Sequence, residues 1–168
     1  VHGIVKSHGG FVRVESELGK GSTFNVFFPK IIKKVISEKI DGIDTLPTGT
    51  ERILFVDDES MLVDIGVSIL EGLGYSVNAK TDSAEALELF KNNPSQFDLV
   101  ITDQTMPIIT GSELSKQLLK IRNDIPIILC TGYSSMIDEA KAAKIGIREY
   151  VMKPINKHEI AKLIRKIL

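Results

Sequence analysis

The sequence of residues 51–168 predicts an α/β fold built on a five-stranded, doubly wound parallel sheet. Short apolar runs alternate with amphipathic segments five times along this stretch, and the connections between them are short. Repeated strand-helix units of this kind form one parallel sheet with helices on both faces. Residues 1–50 lack the alternation, which predicts that they form separate parts of the chain.

Residues 1–30 predict the end of a helix followed by an isolated β-hairpin. The segment 1–8 has a helical pattern and is closed by a Gly-Gly pair. Segments 11–16 and 23–28 predict two strands, with a glycine-containing turn between them. Because a lone hairpin buries too little surface to be stable, we expect its apolar side chains to need a packing partner.

Residues 31–50 predict a linker. They show no regular pattern and end in the Pro- and Gly-containing segment 46–50, which is typical of a connection between domains. The sheet-forming stretch begins directly after it, at residue 51. The chain does not begin with Met, so we expect a fragment of a longer protein.

Ten segments of the sheet-forming stretch alternate between strand and helix patterns. The predicted strands are 52–56, 75–79, 98–102, 125–130 and 149–152, and the predicted helices are 59–72, 82–92, 111–122, 134–143 and 156–167. At the start of the second helix, Asp82 lies three residues before Glu85, which is the spacing of a capping box. Gly72 and Gly74 suit the end of the first helix, where glycine accommodates a left-handed backbone.

Polar residues follow the first, third, fourth and fifth predicted strands. They are Asp57 and Asp58, Asp103, Thr131, and Lys153. Because the carboxyl ends of parallel strands meet at one edge of the sheet, where ligands bind in open α/β folds, we expect these side chains to converge. Clustered carboxylates repel each other, so the group predicts a site for a divalent cation and an oxyanion. That is the chemistry of accepting a phosphoryl group on an aspartate.

Each of these residues alone has a simple structural interpretation. An Asp-Asp pair after a strand often caps a helix, a single threonine is an ordinary loop hydroxyl, and a single lysine is a solvated surface charge. The combination at the ends of four strands favours the phosphoryl site over these separate explanations.

The composition is typical of a soluble globular protein, with 43% hydrophobic and 26% charged residues. A formal net charge of −1 provides no global field for binding nucleic acid or an acidic membrane surface. No apolar run has transmembrane length, and no signal-peptide pattern opens the chain. The single cysteine, Cys130, fits a reducing compartment and is expected to be a buried, inert thiol. We therefore expect a cytoplasmic protein that contacts neither nucleic acid nor membrane directly.

With these motifs in place, residues 52–168 resemble the receiver domain of two-component response regulators, which has a flavodoxin-like fold. The resemblance rests on the acidic, hydroxyl and basic residues at the strand ends described above. It implies that Asp103 is the phosphoacceptor, and that Asp57, Asp58 and Asp103 bind Mg²⁺ or Mn²⁺. The main-chain carbonyl of Thr105 would complete the protein ligands of the metal.

The same resemblance implies roles for three further residues. Lys153 would pair with one phosphoryl oxygen, and Thr131 would hydrogen-bond another. Tyr150, three residues before Lys153, matches the switch aromatic of the family. Movement of Thr131 toward the phosphoryl group would leave space for Tyr150 to turn inward, which supplies the two-state element of a switch. Such a receiver would catalyse its own phosphorylation and dephosphorylation.

Two other functions are compatible with parts of this pattern. Haloacid-dehalogenase phosphatases also use an Asp nucleophile with Mg²⁺, in an Asp-x-Asp motif. Here the second position after Asp103 is Thr105, which cannot act as their general acid, and the Asp57-Asp58 pair has no place in that motif. The alternative retained is a receiver-like protein-interaction module that works without phosphorylation.

The first thirty residues resemble the C-terminal end of a histidine-kinase ATP-binding domain. The matching segments are 3–10 and 16–24. The asparagine box and the Asp-x-Gly-x-Gly box of that domain are missing, so we expect no ATP-dependent kinase activity from the chain. His2 and His8 lie in no phosphoacceptor motif, and His158 is expected on the surface of the last helix.

The two resemblances give the order of a hybrid sensor histidine kinase: the end of its ATP-binding domain in residues 1–30, a linker in 31–50 and a receiver in 51–168. The parent protein would then be a histidine kinase, which can be membrane-anchored. The expected partners are the dimerisation and phosphoacceptor domain of a histidine kinase, or a histidine phosphotransfer protein. The orphan hairpin has free strand edges, so a homodimer is also expected.

Overall fold

The computed structural model describes residues 2–30, 46–132 and 145–168, and the chain divides into two compact units. We call residues 1–43 the N-terminal unit and residues 44–168 the C-terminal unit. None of the helices in the described residues is long and apolar enough to cross a membrane.

The N-terminal unit contains the predicted helix end and β-hairpin. Helix α1 is His2–Ser7, and strands β1 (Phe11–Glu17) and β2 (Gly21–Phe27) pair antiparallel. Strand β2 begins two residues before the predicted start because Glu17 pairs with Gly21 and leaves a three-residue loop. Gly19 and Gly21 have φ values of +82° and +96°, a conformation that glycine adopts without steric cost. The hairpin is therefore confirmed, with a shorter turn than predicted.

The C-terminal unit is the predicted α/β fold. Its elements are β3 (Arg52–Val56), α2 (Ser60–Glu71), β4 (Ser76–Lys80), α3 (Ser83–Asn92), a 3₁₀ turn (Pro94–Gln96), β5 (Leu99–Asp103), α4 (Gly111–Ile121), β6 (Ile127–Thr131), β7 (Glu149–Met152) and α5 (Lys157–Ile167). The five strands form one parallel sheet in the order β4-β3-β5-β6-β7. The predicted helix at 134–143 lies outside the described residues.

Two apolar clusters show that the sheet is covered on both faces. Alternate residues of β3 separate between them, since successive side chains of a strand point to opposite faces: Ile53 and Phe55 enter one cluster, Leu54 and Val56 the other. The first cluster takes in residues of α2 and α5, and the second takes in residues of α3 and α4. The doubly wound arrangement is thus confirmed.

Three strands end one residue later than the sequence predicts. Strand β5 includes Asp103 and strand β6 includes Thr131, because Asp103 pairs with Cys130, and Thr131 pairs with Met152 on β7. Strand β4 also ends one residue later, at Lys80. Two predicted functional side chains therefore project from the last residues of strands, where the sheet ladder holds their backbones.

The structure differs from the predictions at two helix ends, the start of α3 and the end of α2. The side chain of Asp82 accepts hydrogen bonds from the N–H groups of Ala84 and Glu85 and caps α3 as expected. A reciprocal capping box lies instead at Thr110, at the start of α4, where the sequence analysis did not place one. Gly72 has an ordinary helical φ of −66°, whereas Gly74 has φ +94°. Only Gly74 therefore needs the left-handed conformation.

The last residues of the predicted linker pack against the C-terminal unit. Gly49 donates its N–H to the carbonyl of Leu73 at 3.1 Å, and Leu46 packs against the first apolar cluster. Directly after this segment, Glu51 lies 2.7 Å from the guanidinium of Arg165 on α5. The chain thus enters β3 from a fixed position on this unit.

Candidate functional site

Three of the predicted side chains meet at the carboxyl-terminal edge of the sheet. Asp57 follows β3, Asp103 ends the neighbouring strand β5, and Lys153 follows β7. The Nζ atom of Lys153 lies 2.7 Å from Oδ2 of Asp57 and 2.7 Å from Oδ1 of Asp103. One ammonium group therefore bridges two carboxylates that come from different strands.

Both carboxylates are buried. The exposed fraction is 1% for Asp57 and 4% for Asp103. Burying an ionised carboxylate is costly unless it is paired and hydrogen-bonded, and Lys153 provides the opposite charge for both. Two negative charges against one positive charge leave the group with a net negative charge.

Backbone N–H groups hold the remaining oxygen of each carboxylate. Oδ2 of Asp103 accepts a hydrogen bond from the N–H of Thr105 at 2.7 Å, and Oδ1 of Asp57 accepts one from the N–H of Glu59 at 3.1 Å. In each carboxylate, one oxygen accepts a hydrogen bond from a main-chain N–H group and the other contacts the ammonium of Lys153. These two contacts fix the orientation of the carboxylate without a further side chain.

The close approach of α4 keeps the backbone around Asp103 in place. A Cβ atom on Gly111 would lie 2.1 Å from the carbonyl oxygen of Asp103, so glycine is required there. Gln104 donates its N–H to the carbonyl of Cys130 at 2.8 Å, and its side-chain oxygen accepts hydrogen bonds from Ser112. The residue after Asp103 is therefore tied to both β6 and α4.

Electrostatics favour the charged form of Lys153. Burial opposes its charge, but the hydrogen bonds and negative charges of Asp103 and Asp57 outweigh burial and raise the pKa of the ammonium above its ordinary value. Cys130, which precedes Thr131 on β6, is 1% exposed. Its burial raises the pKa of the thiol, which supports the expectation of an inert cysteine.

Thr131 and Tyr150 lie on the last two strands of the sheet. Thr131 is 5% exposed, and its Oγ1 donates to the sulfur of Met152 at 3.6 Å. Tyr150 pairs with Leu129 in the β6-β7 ladder and is 42% exposed. Met152 could not be singled out from the sequence, because a methionine in a strand has no signal beyond that of an apolar position.

Asp58 does not join the two buried carboxylates. It is exposed, and among the described residues no three His, Cys, Asp or Glu side chains form a cluster that could hold a metal ion. Asp57 is buried beside Lys153, whereas Asp58 lies in the bend that follows it and is exposed to solvent. The structure therefore brings Asp57 and Asp103 together around Lys153, and the role of Asp58 as a metal ligand stays a prediction.

An apolar pocket of about 90 Å³ adjoins the bridged carboxylates. Besides Asp57 and Lys153, it is lined by Leu62, Ile65, Gly66, Pro154 and Ile155. The Lys153–Pro154 peptide bond is cis. This pocket has no signal in the sequence, because most of its lining comes from α2 and from the segment between β7 and α5, which are far apart in the chain.

The structure describes the side chains of two histidines, His8 and His158. His8 contacts the carbonyl of Ile4 and the hydroxyl of Ser7 within the N-terminal unit. His158 is exposed at the start of α5, as expected. The side chain of His2 is outside the described part of the structure.

Comparisons with known proteins agree with this architecture. The sensor kinase CckA of Brucella abortus is 31% identical, over 100% of this chain and 19% of that protein. The aerobic respiration control sensor protein ArcB of Escherichia coli is 32% identical, over 97% of this chain and 21% of that protein. The chain thus spans about a fifth of the length of the curated relatives it matches.

A solved structure and a family model also match the chain. The response regulator receiver domain protein from Clostridium thermocellum aligns with a TM-score of 0.67 and 31% identity, over 70% of this chain and 93% of that chain. The model of the response regulator receiver domain matches residues 53–165. Since that match extends over more than half of the sequence, the chain belongs to the response regulator receiver domain family.

Proposed function

We propose that the C-terminal unit accepts a phosphoryl group from a phosphohistidine onto Asp103. One observation carries the proposal: the ammonium of Lys153 lies 2.7 Å from a carboxylate oxygen of both Asp57 and Asp103. The group lies at the edge of the sheet where ligands bind in open α/β folds. Membership of the receiver family supports the same role in two-component signalling.

In the proposed reaction, a carboxylate oxygen of Asp103 forms a bond to phosphorus while the bond from phosphorus to the donor imidazole nitrogen breaks. That nitrogen keeps the electron pair, and Asp103 becomes an acyl phosphate. A carboxylate attacks an anionic phosphoryl group poorly until positive charge screens the repulsion. Lys153 supplies such a charge, and its raised pKa keeps it protonated at neutral pH.

Mg²⁺ or Mn²⁺ is the proposed cofactor, and the oxygen donors present are compatible with it. Mg²⁺ typically uses one or two carboxylates together with waters and phosphate oxygens. Asp57 and Asp103 are the proposed carboxylate ligands, and Asp58 and the main-chain carbonyl of Thr105 are proposed to complete the set. When bound, the cation would offset negative charge on the phosphoryl group. Lys153 then exchanges a carboxylate contact for a phosphoryl oxygen.

The switch is proposed to involve Thr131 and Tyr150. Thr131 lies at the end of β6 with its hydroxyl buried, and a phosphoryl oxygen on Asp103 would give that hydroxyl a charged acceptor. Tyr150 is 42% exposed in this structure, and we propose that it turns inward when Thr131 moves. The response would then spread to the surface formed by β7 and α5 without displacing the sheet.

The N-terminal unit is proposed to be the end of a histidine-kinase ATP-binding domain. The match to CckA covers the whole of this chain and the match to ArcB covers 97% of it, so both extend beyond the receiver. The parent protein would then be a cytoplasmic or membrane-anchored hybrid kinase. We expect no Mg-ATP binding by this chain in calorimetry, and micromolar binding would contradict that expectation.

The proposed partners carry a reactive histidine. They are the dimerisation and phosphoacceptor domain of a histidine kinase, or a histidine phosphotransfer protein. Asp103 is only 4% exposed, so a donor must bring its phosphohistidine to the edge of the sheet beside Lys153.

Labelling by a small phosphodonor tests the proposal without a protein partner. The chain is incubated with acetyl phosphate and Mg²⁺, and the intact mass is measured over time. Asp103→Asn should lose labelling, whereas Asp64→Asn, which changes an exposed carboxylate on α2, should keep it. Equal labelling of the wild type and Asp103→Asn would contradict the assignment.

A further inference from the structure

The hydroxyl of Thr131 has a sulfur atom as its hydrogen-bond acceptor. Oγ1 of Thr131 lies 3.6 Å from Sδ of Met152. The two residues are paired across the end of the β6-β7 ladder. Thr131 is 5% exposed, so this hydroxyl is turned away from bulk water and needs an acceptor inside the protein.

The acceptor is a weak one. A thioether sulfur accepts hydrogen bonds less strongly than an amide, carbonyl or carboxylate oxygen. A phosphoryl oxygen is charged, and hydrogen bonds to charged acceptors are roughly twice as strong as neutral ones. A hydroxyl that leaves Met152 for a phosphoryl oxygen therefore exchanges a weak bond for a strong one.

The backbone beside this contact is held in place. The N–H of Lys153 donates to the carbonyl oxygen of Thr131 at 2.8 Å, directly after the last pair of the ladder. The main chain of Thr131 is thus fixed to the segment that carries both Met152 and Lys153. The hydroxyl of Thr131 is therefore freer to change its acceptor than the main chain that carries it.

We propose that Met152 is a positioning residue that holds the hydroxyl of Thr131 in the unphosphorylated state. The strength of its sulfur as an acceptor sets how readily Thr131 is released to the phosphoryl group. The inference rests on the proposed function, in which Thr131 binds a phosphoryl oxygen on Asp103. It predicts that substitutions of similar size at Met152 shift the switch in opposite directions, according to their ability to accept a hydrogen bond.

The test measures the affinity of the chain for beryllofluoride, a phosphoryl mimic, in the presence of Mg²⁺. Met152→Leu keeps the apolar volume but removes the acceptor, and it should tighten binding about fivefold. Met152→Gln supplies a stronger acceptor, an amide oxygen, and it should weaken binding by about the same factor, since one hydrogen bond is worth roughly that much. Thermal unfolding of each variant checks that it folds.

The same pair of substitutions in a Thr131→Val background provides the decisive control. Valine has no hydroxyl, so both effects should disappear there, while the affinity for Mg²⁺ alone should stay unchanged throughout. Shifts in the same direction for Leu and Gln, or shifts that persist in the Thr131→Val background, would overturn the inference and indicate a packing effect. If the glutamine variant does not fold, an unchanged affinity in Met152→Leu overturns it. A wild-type chain that binds no beryllofluoride overturns the proposed function, and the inference with it.

Discussion

In the C-terminal unit, Phe55 and Phe90 lie inside the two apolar clusters, whereas Phe11, Phe24 and Phe28 of the N-terminal unit are more than half exposed. Both units contain strands rich in apolar residues. The difference is that helices cover both faces of the five-stranded sheet, while α1 is a single short helix beside the hairpin. A strand pattern therefore predicts an apolar face but does not tell whether the same unit covers that face.

The largest difference in stability between the two units is expected when each is prepared as a separate fragment. A fragment of residues 46–168 keeps Leu46 and Gly49, which pack against the C-terminal unit, and it should unfold cooperatively near the temperature of the whole chain. A peptide of residues 1–30 should show no folded β-structure, because a two-stranded hairpin is marginal in water. Circular dichroism and thermal melts measure both. A folded, monomeric peptide would show that the hairpin needs no partner.

Removing the N-terminal unit should also reduce self-association. Exposed apolar side chains and free strand edges favour pairing between copies. If light scattering gives the same oligomeric state with and without residues 1–43, the hairpin does not mediate assembly.

Truncation of one phenylalanine in each unit should give the next largest contrast. Phe55 is 1% exposed, and Phe55→Ala should lower the free energy of unfolding by about 3–5 kcal/mol. Phe24 is 67% exposed, and Phe24→Ala should change the free energy of unfolding of the C-terminal unit by less than about 0.5 kcal/mol. Urea unfolding of both variants measures this, and a similar loss for both would mean that Phe24 is buried in solution.

Substitution of one glycine with a positive φ in each unit compares how strongly the backbone is constrained there. Gly74 has φ +94°, and a Cβ there would lie 2.5 Å from the carbonyl oxygen of Gly49, whereas Gly19 has φ +82° and open space around it. Gly74→Ala should therefore cost about 2–4 kcal/mol, and Gly19→Ala only about 1 kcal/mol of local hairpin stability. Chemical unfolding and the exchange of hairpin amides measure the two effects. A neutral Gly74→Ala would show that the segment 46–50 moves away easily.

The smallest effect is expected for surface charge pairs at low pH. The hydrogen bonds of the Arg52 side chain lower the pKa of Asp98, against the effect of burial. The folded-state pKa is then below the unfolded value, so the contribution is complete above about pH 4 and is lost as the pH falls through the lowered pKa. Asp98→Asn should reduce the melting temperature by a few degrees at pH 7 and flatten its decrease in acid.

Glu15 in the N-terminal unit provides the matched control for Asp98. It lies 3.1 Å from Arg13, but the side chains of Arg13 and Glu15 are 70% and 58% exposed, and solvent screens such pairs. Glu15→Gln should leave the melting temperature unchanged both at pH 7 and in acid. An equal response of Asp98→Asn and Glu15→Gln would remove the distinction between the two pairs.

The sequence predicts the sheet well because a strand that is buried on both faces is a continuous apolar run. The runs 53–56 and 99–101 are wholly apolar, and parallel strands of this kind must be covered by helices. The rule that ligands bind at the carboxyl ends of such strands then locates Asp57, Asp103 and Lys153. The structure brings these three together.

Other parts of the site depend on contacts that no local pattern reveals. Asp58 follows Asp57 directly, yet nothing in the sequence tells which of the two carboxylates is buried and which is exposed. Met152 resembles any apolar strand residue until the register of β6 and β7 places its sulfur beside Thr131. The capping box at Thr110 and Glu113 differs from these cases, since its spacing is visible in the sequence.

In the proposed function, Asp103 is the residue that carries the phosphoryl group. The most direct measurement treats the chain with acetyl phosphate and Mg²⁺, reduces the acyl phosphate with borohydride, and maps the resulting homoserine by peptide mass spectrometry. We expect homoserine at position 103 only, and none when the divalent cation is removed with a chelator. Homoserine at Asp57 or Asp58, or no conversion at Asp103 in the presence of Mg²⁺, would contradict it.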